Sequence, residues 1–531
     1  MSLSSRVLPS MLFLVLPFVV SPSISLDPVN PAKILFLAVV IANFSIHYVF
    51  SLSKLELSER NIFLFLMSVV IAFWISIGFF LDTNMSQHMF GNVGRGFSWL
   101  TVCLSLLLFL ILVDKVKKDG NEILQFIPKL LLVVNLLQLS IIALQKYAKI
   151  LVYWDTESQP TPVSTLGNPN YVSALLGISS IGCFYLFSKV SFVYKLPLTF
   201  QLLLNIYFLN ELNSAQGLLM FAFNLLTFLV IANKSTLIRL GIVTVRKFLI
   251  ASAITTFSLI LLFFSTFEFW ISRLNLVSRA DYWYASIRGI VMHPIFGNGF
   301  GTFGEKLPSL RTTNMIERNY FSDSPHNFFL EMGFSVGIPV MLLLIITWIM
   351  GLVRVIKLLI ADRDKIEVLV LFAGYSNSTF QLMISPIEIT LLTWSLFWLC
   401  LTLFYKSKEL KVNESIGSIS VRKVISSIEG KSLSWLQNIV VPSTAIILVI
   451  LSWLPFSTDV QFRRAIENGD GRRMSEISSK FPVDQNRYRY TISVLKDNGY
   501  FELARDLATQ YVLDFPKSES ARNLKDSLKN N

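Results

Sequence analysis

Between positions 268 and 331 the chain concentrates residue types that do chemistry. Ser278-Arg279-Ala280-Asp281-Tyr282-Trp283 comes first, then His293-Pro294-Ile295-Phe296-Gly297-Asn298-Gly299-Phe300-Gly301, then Ser324-Pro325-His326-Asn327-Phe328-Phe329-Leu330-Glu331. Arginine carries a permanent charge on a planar fork that grips a phosphate or carboxylate through paired hydrogen bonds. Histidine, with an ordinary pKa of about 6.5, takes a proton from a hydroxyl at neutral pH if it lies within hydrogen-bond reach. A connection this long is either functional or disordered, and its aromatic and glycine content argues against disorder. Each residue also has a plainer reading. Ser324-Pro325 ahead of His326 resembles a helix start, and Arg279 can snorkel beside a membrane. Trp283 can stack on a sugar ring or anchor the loop at an interface. Glu331 can cap a helix or line a cavity. His293, before Pro294 in an aromatic-rich turn, reads as structural. Gly299-Phe300-Gly301-Thr302-Phe303-Gly304 matches the dinucleotide-binding glycine pattern, but that motif needs a strand before it and a soluble parallel sheet around it.

The elements that position this stretch are membrane helices. The 531 residues are 53% hydrophobic and 15% charged, with 44 phenylalanines, whereas soluble domains carry about 25% charged residues. The fold class expected is all-α, polytopic, with about 12–13 transmembrane helices. Apolar runs of the length that crosses a bilayer begin near Met11, Ile34, Ile62, Trp99, Ile127, Tyr171, Leu196, Leu218, Phe248, Phe334, Val368, Ile389 and Ile439. The first, with Arg6 before it and Ser21, Ser23 and Ser25 after it, reads as a retained helix or a cleaved signal. Alternate linkers are basic: Lys54 and Arg60; Lys115, Lys117 and Lys118; Lys189 and Lys195; Lys234 to Lys247; Arg354 to Lys365; Lys406 to Lys431. Those should be cytoplasmic, which puts residues 268–331, the loop 146–170 and the C-terminal tail outside. The expected organisation is 1–267 and 332–456 as membrane helices, 268–331 as the extracytoplasmic loop, and 457–531 as a soluble helical domain. In that domain Phe481-Pro482 and Phe515-Pro516 lie 34 residues apart, the period of a tetratricopeptide repeat. An ordinary amphipathic tail is the alternative. Cys103, Cys183 and Cys400 sit in apolar runs and read as helix-packing residues. No Cys/His cluster has metal-ligand spacing, and no basic, aromatic nucleic-acid surface is apparent, so no metal, cofactor or nucleic acid is expected.

Arg279…Trp283…His293-Pro294…Gly297-x-Gly299-x-Gly301-x-Phe303, followed by Pro325-His326-Asn327-x-x-Leu330-Glu331, resembles the bacterial O-antigen ligase and O-antigen polymerase superfamily. Gly167-Asn168-Pro169-Asn170 before a membrane helix and Ser214-Ala215-Gln216-Gly217 at the start of the eighth run are similar to it as well. The resemblance covers about residues 167–405, and a tetratricopeptide-like tail occurs on some members. It implies transfer of a glycan from a polyprenyl-diphosphate carrier to a hydroxyl acceptor (lipid core, protein or another glycan) at the outer face of a bacterial plasma membrane. It assigns the leaving diphosphate to Arg279 and the base to His326, and it needs no metal if cations neutralise the leaving group. Substrate contacts fall on Arg288, Gln216, Asn168, Asn170, Trp283 and Glu331, with helix capping as the alternative for the two asparagines. Many ligases of the family have arginine where this chain has Gln216, so a second diphosphate contact stays open. Arg288 is nine residues from Arg279, nearly the opposite face of a helix; Arg311 and Arg318 are weaker substitutes. Ligase and polymerase remain open. A transporter, and a scaffold whose tail recruits a protein partner, are the readings of other classes.

Overall fold

The computed structural model describes residues 3–52, 62–80, 84–92, 95–150, 161–232, 275–312, 322–361, 365–406, 430–516 and 518–528. Among them the regular structure is all helix. That is what lipid demands, since a helix satisfies its own backbone hydrogen bonds. The first half contains α1 (Leu3–Pro9, continued by tighter and wider turns to Phe18), α2 (Asn30–Leu52), α3 (Ile62–Ser76), the short α4 (Met85–Phe90), α5 (Trp99–Ala143), α6 (Pro169–Lys189), α7 (Phe192–Glu211) and α8 (Ala215–Ala232). Then come α9 (Leu276–Met292), α10 (Phe303–Leu310), α11 (Phe328–Val336), α12 (Ile338–Ala361), α13 (Ile366–Ile384), α14 (Ile389–Phe404) and α15 (Gly430–Glu467). The tail is α16 (Gly471–Ser478), α17 (Gln485–Asp497), α18 (Phe501–Asp514) and α19 (Glu519–Ser527).

The chain is a polytopic all-α membrane protein. Seven described helices are long and apolar enough to cross a bilayer, and three shorter apolar ones accompany them. The run expected near Phe248 lies outside the described residues. The runs expected near Trp99 and Ile127 are joined in one continuous 45-residue helix, α5. A straight helix of that length would hold its ends about 68 Å apart. Yet Arg95, just before α5, donates to the Tyr171 hydroxyl (2.9 Å), while Gln145, just after it, donates to the Ser164 carbonyl (3.3 Å). Ser164 and Tyr171 are only seven residues apart, about 25 Å at full extension. α5 therefore folds back on itself, with the polar stretch 114–122 between its two apolar halves.

Contacts at the helix ends divide the molecule into two levels. One holds basic linkers: Lys189 pairs with Glu367 at 3.0 Å, Arg354 donates to the Tyr405 carbonyl at 2.9 Å, and Lys117 lies 5.4 Å from the Phe404 ring. The other holds the head of α2, where buried Lys33 pairs with Glu388 (3.0 Å), the heads of α6 and α8, and all of α9 to α11. So the segment 268–331, read from sequence as one loop, contains among its described residues two complete helices and the start of a third at this second level. Between the levels, Asn135, Gln201 and Asn205 bond one another across α5 and α7, the polar pairing that substitutes for hydrophobic drive inside lipid. The core is otherwise aromatic and aliphatic: Phe13 stacks on Trp394 at 4.9 Å and meets Trp398 edge-on.

In the tail, Ala504, Leu507, Ala508 and Tyr511 of α18 face Tyr488, Ile492 and Leu495 of α17. The face expected to carry Ala504, Leu507, Ala508 and Val512 is thus the buried one, Val512 being partly covered. The tail is seated on the second level through α4: Asn84 donates to the Asp514 carbonyl (2.7 Å) and the Val483 amide to Ser86 Oγ (3.0 Å).

Candidate active site

Arg279 sits in the first turn of α9 and is 5% exposed. One turn on, Trp283 shares its face, and Tyr282 carries its ring 5.4 Å from that of His326. His326 lies just before Asn327, which caps α11 by accepting from the Leu330 amide (3.1 Å). The helix-start reading of Ser324-Pro325 is therefore realised, one residue beyond His326. His326 itself is left-handed, φ 55°, a conformation that costs a non-glycine residue roughly 1–2 kcal/mol. Its amide donates to Ser324 Oγ (3.2 Å).

A glycine turn sets the spacing of the two helices. After α9 ends at His293, the Asn298 amide donates to the Phe334 carbonyl (2.7 Å), Gly299 to Ser335 (2.9 Å), and Ile338 to Pro294 (2.8 Å). These bonds clamp the end of α9 to the end of α11. They require backbone-to-backbone approach: Gly297 has φ 72°, and a Cβ there would lie 2.5 Å from the Ser335 carbonyl carbon. Higher up, Gly289 leaves room for the Phe334 ring, and Ser286 donates to the Leu330 carbonyl (3.2 Å). The glycine pattern is thus a structural clasp.

The site's electrostatics follow from burial without partners. Arg279 Nε and Nη1, Trp283 Nε1 and His326 Nδ1 are buried and have no hydrogen-bond partner among the described residues. Burial draws the Arg279 guanidinium down to about 10, still charged at neutral pH. The His326 imidazole is pushed down to about 3 by burial first, then by the positive fields of Arg95 and Arg279, against the opposing pull of Asp323. It is therefore neutral at physiological pH. Burial raises the Glu331 carboxyl to about 7, with the Ser324 hydroxyl donating to it at 2.9 Å.

Two participants were not singled out from sequence. Arg95 donates through Nε to both Asp323 oxygens (2.7 and 2.8 Å) and through Nη1 to Tyr171, so it braces the segment three residues before His326. Burial disfavours the Asp323 charge, but Arg95 outweighs it and holds the carboxyl below its ordinary value. The one signal was an arginine in a linker otherwise poor in basic residues. Of the other expected contacts, Gln216 is buried and fully engaged: it donates to the Asn170 carbonyl (2.5 Å) and Gln381 (3.0 Å) and accepts from Ser385 (2.6 Å). It clamps α6, α8 and α13. Asn168 caps α6 by accepting from the Asn170 amide (2.8 Å). Arg288 is exposed on the face of α9 away from Arg279 and donates to the Leu310 carbonyl (3.4 Å). Arg311 has a buried, unpartnered Nη2 at the end of α10; Arg318 lies outside the described residues. His293 is exposed at the end of α9. No group of three or more His, Cys, Asp or Glu among the described residues is arranged to hold a metal.

Residues 200–345 match the O-antigen ligase family model. The match supports placing this segment in the O-antigen ligase superfamily. Gln216, Arg279, Trp283, Arg288, His326 and Glu331 fall inside the matched segment; Arg95, Asn168, Asn170 and the tail fall outside it. No curated protein matches the chain.

The clasp makes a sharp prediction. Gly297→Ala should lower stability by at least about 2 kcal/mol, through strain and collision with Ser335. Thermal denaturation of the purified variant would read this; an unchanged midpoint would mean that the α9–α11 spacing does not depend on this contact.

Proposed function

We propose that the protein is a membrane glycosyltransferase of surface-polysaccharide biosynthesis, passing an oligo- or polysaccharide from a polyprenyl-diphosphate carrier to a hydroxyl acceptor. The carrying observation is a buried guanidinium without an anion beside a neutral imidazole with a free nitrogen, both inside the O-antigen ligase segment. As the glycosidic C–O bond breaks, the electron pair goes to a diphosphate oxygen. Arg279 offers two unpaired donor nitrogens, Nε and Nη1, where that charge grows, and buried donors of this kind are worth more than exposed ones. The acceptor oxygen attacks the anomeric carbon and gives its proton to His326. Trp283 presents a ring and a free N–H on the same side for a sugar. The basic residues Lys117, Lys189 and Arg354, at the level opposite the site, support a sidedness for this reading. By the positive-inside rule that level is cytoplasmic and the site extracytoplasmic.

His326→Asn is the informative variant, because asparagine tolerates the left-handed backbone that alanine would strain. Transfer from a defined lipid-linked donor should fall by about 10²–10⁴ with the melting temperature kept. Normal transfer would remove His326 from the base role. The pH dependence supplies a second test. An imidazole held far below its ordinary value stays deprotonated down to low pH in the free enzyme, so kcat/KM should show no acid limb near 6.5. A bound diphosphate offsets the positive field and raises the imidazole, so the acid limb of kcat should lie at higher pH. Measured in a Glu331→Gln background, which removes the neighbouring carboxyl titrating near neutrality, coincident limbs near 6.5 would contradict this.

A further inference from the structure

The tail and the loop helices enclose a second space. A cleft of about 650 Å³ lies between α10 and Asp323 on one side and the starts of α17 and α19 on the other. It falls in the size range of ligand pockets. Asp323 belongs to both regions: it lines the cleft and, through Arg95, fixes the segment that carries His326.

We propose that this cleft binds uncharged sugar units of the glycan chain on which the active site works. The inference rests on the transferase reading above for the identity of the ligand, and on three observations for the site. The first is lining chemistry. Asn92, Asn486, Asn523, Ser520 and Glu519 supply amide, hydroxyl and carboxylate groups that donate and accept, as a polyhydroxyl ligand requires. Pro308 and Leu524 add the apolar patches that sugar C–H faces need. The second is charge. Asp323 is paired with Arg95, and among the other described lining residues the acids Glu305, Asp484 and Glu519 outnumber the one base, Arg489, so the cleft disfavours phosphates and acidic sugars. The third is rigidity. α4 ties the tail wall to the loop wall: it holds Asp514 and Val483 of the tail, while Gln87 donates to the Gly301 carbonyl (2.8 Å) and to Glu305 (3.3 Å). The tail is thus a fixed wall of the cleft, whose lining residue Asp323 lies three positions before His326.

The sugar can belong to the lipid-linked donor or to the acceptor, and the experiment separates the two. The full-length protein in nanodiscs is titrated with the oligosaccharide released by mild acid from the host's lipid-linked donor pool, and separately with the delipidated acceptor oligosaccharide. Asn486→Trp and Asn523→Trp, two exposed tail positions, fill the cleft without touching Arg279 or His326. Binding of one oligosaccharide by the wild type, weakened at least tenfold in both variants, supports the proposal, and the oligosaccharide that responds names the source. The same variants should raise KM for that substrate in proportion to its chain length, with little change in kcat. Binding equal in wild type and variants, or no binding of either oligosaccharide by the wild type, overturns it. If oligosaccharide binds in the cleft but no transfer occurs from any lipid-diphosphate donor, the transferase reading fails while the cleft's ligand class stands.

Discussion

A positive charge is buried at Arg279 with no carboxylate among the described residues to meet it. Bringing its pKa from an ordinary 12.5 to about 10 corresponds to roughly 3 kcal/mol. Folding maintains that cost, so the surroundings over-determine the position of the side chain. The same unbalanced field, together with burial and Arg95, holds the neighbouring His326 imidazole neutral. Both perturbations have one remedy, an anion close to both groups. By linkage, an anion that raises the imidazole pKa binds more tightly to the imidazolium by the same free energy. A leaving diphosphate that grows more negative as the acceptor loses its proton would draw on that coupling along the reaction coordinate.

The scaffold makes this arrangement stiff at three points. The glycine turn after α9 fixes how far Arg279 stands from α11, through hydrogen bonds to the carbonyls of Phe334 and Ser335. Arg95 holds Asp323 through both carboxylate oxygens, and Ser324 accepts from the His326 amide and donates to Glu331. Asn327 then caps α11 while its own side-chain amide donates to the Met383 carbonyl of α13 (3.0 Å). The left-handed His326 is stranded between two anchored neighbours, Ser324 and Asn327. Strain of this kind persists where contacts on both sides specify it.

Local patterns were the part of this legible in sequence. Apolar runs marked most of the described helices, and the basic residues Lys117, Lys189 and Arg354 lie at one of the two levels. The clustering of Arg279, Trp283 and His326 pointed to the site, and nine-residue spacing already placed Arg288 on the far side of α9. What stayed hidden depends on long-range pairing. Nothing near Arg95 or Asp323 announces a bond across 228 positions. Gln216 was singled out by the family resemblance, with a second diphosphate contact left open; its bonds to Asn170, Gln381 and Ser385 join residues far apart in the chain. The two apolar halves of α5 correspond to the two runs read from sequence, but their joining in one helix was not legible, since polar side chains do not by themselves end a helix. The seating of the tail on α4, which creates the cleft, rests on single hydrogen bonds such as that of Asn84 with the Asp514 carbonyl.

The anion-binding role proposed for Arg279 is tested most directly by affinity for that anion. A polyprenyl diphosphate and the corresponding neutral polyprenol would be titrated into nanodisc-embedded wild type and Arg279→Gln. The account predicts that the wild type prefers the diphosphate and that the variant loses at least about tenfold of that affinity (about 1.4 kcal/mol), with polyprenol binding unchanged. Equal diphosphate affinity in the two proteins would contradict it.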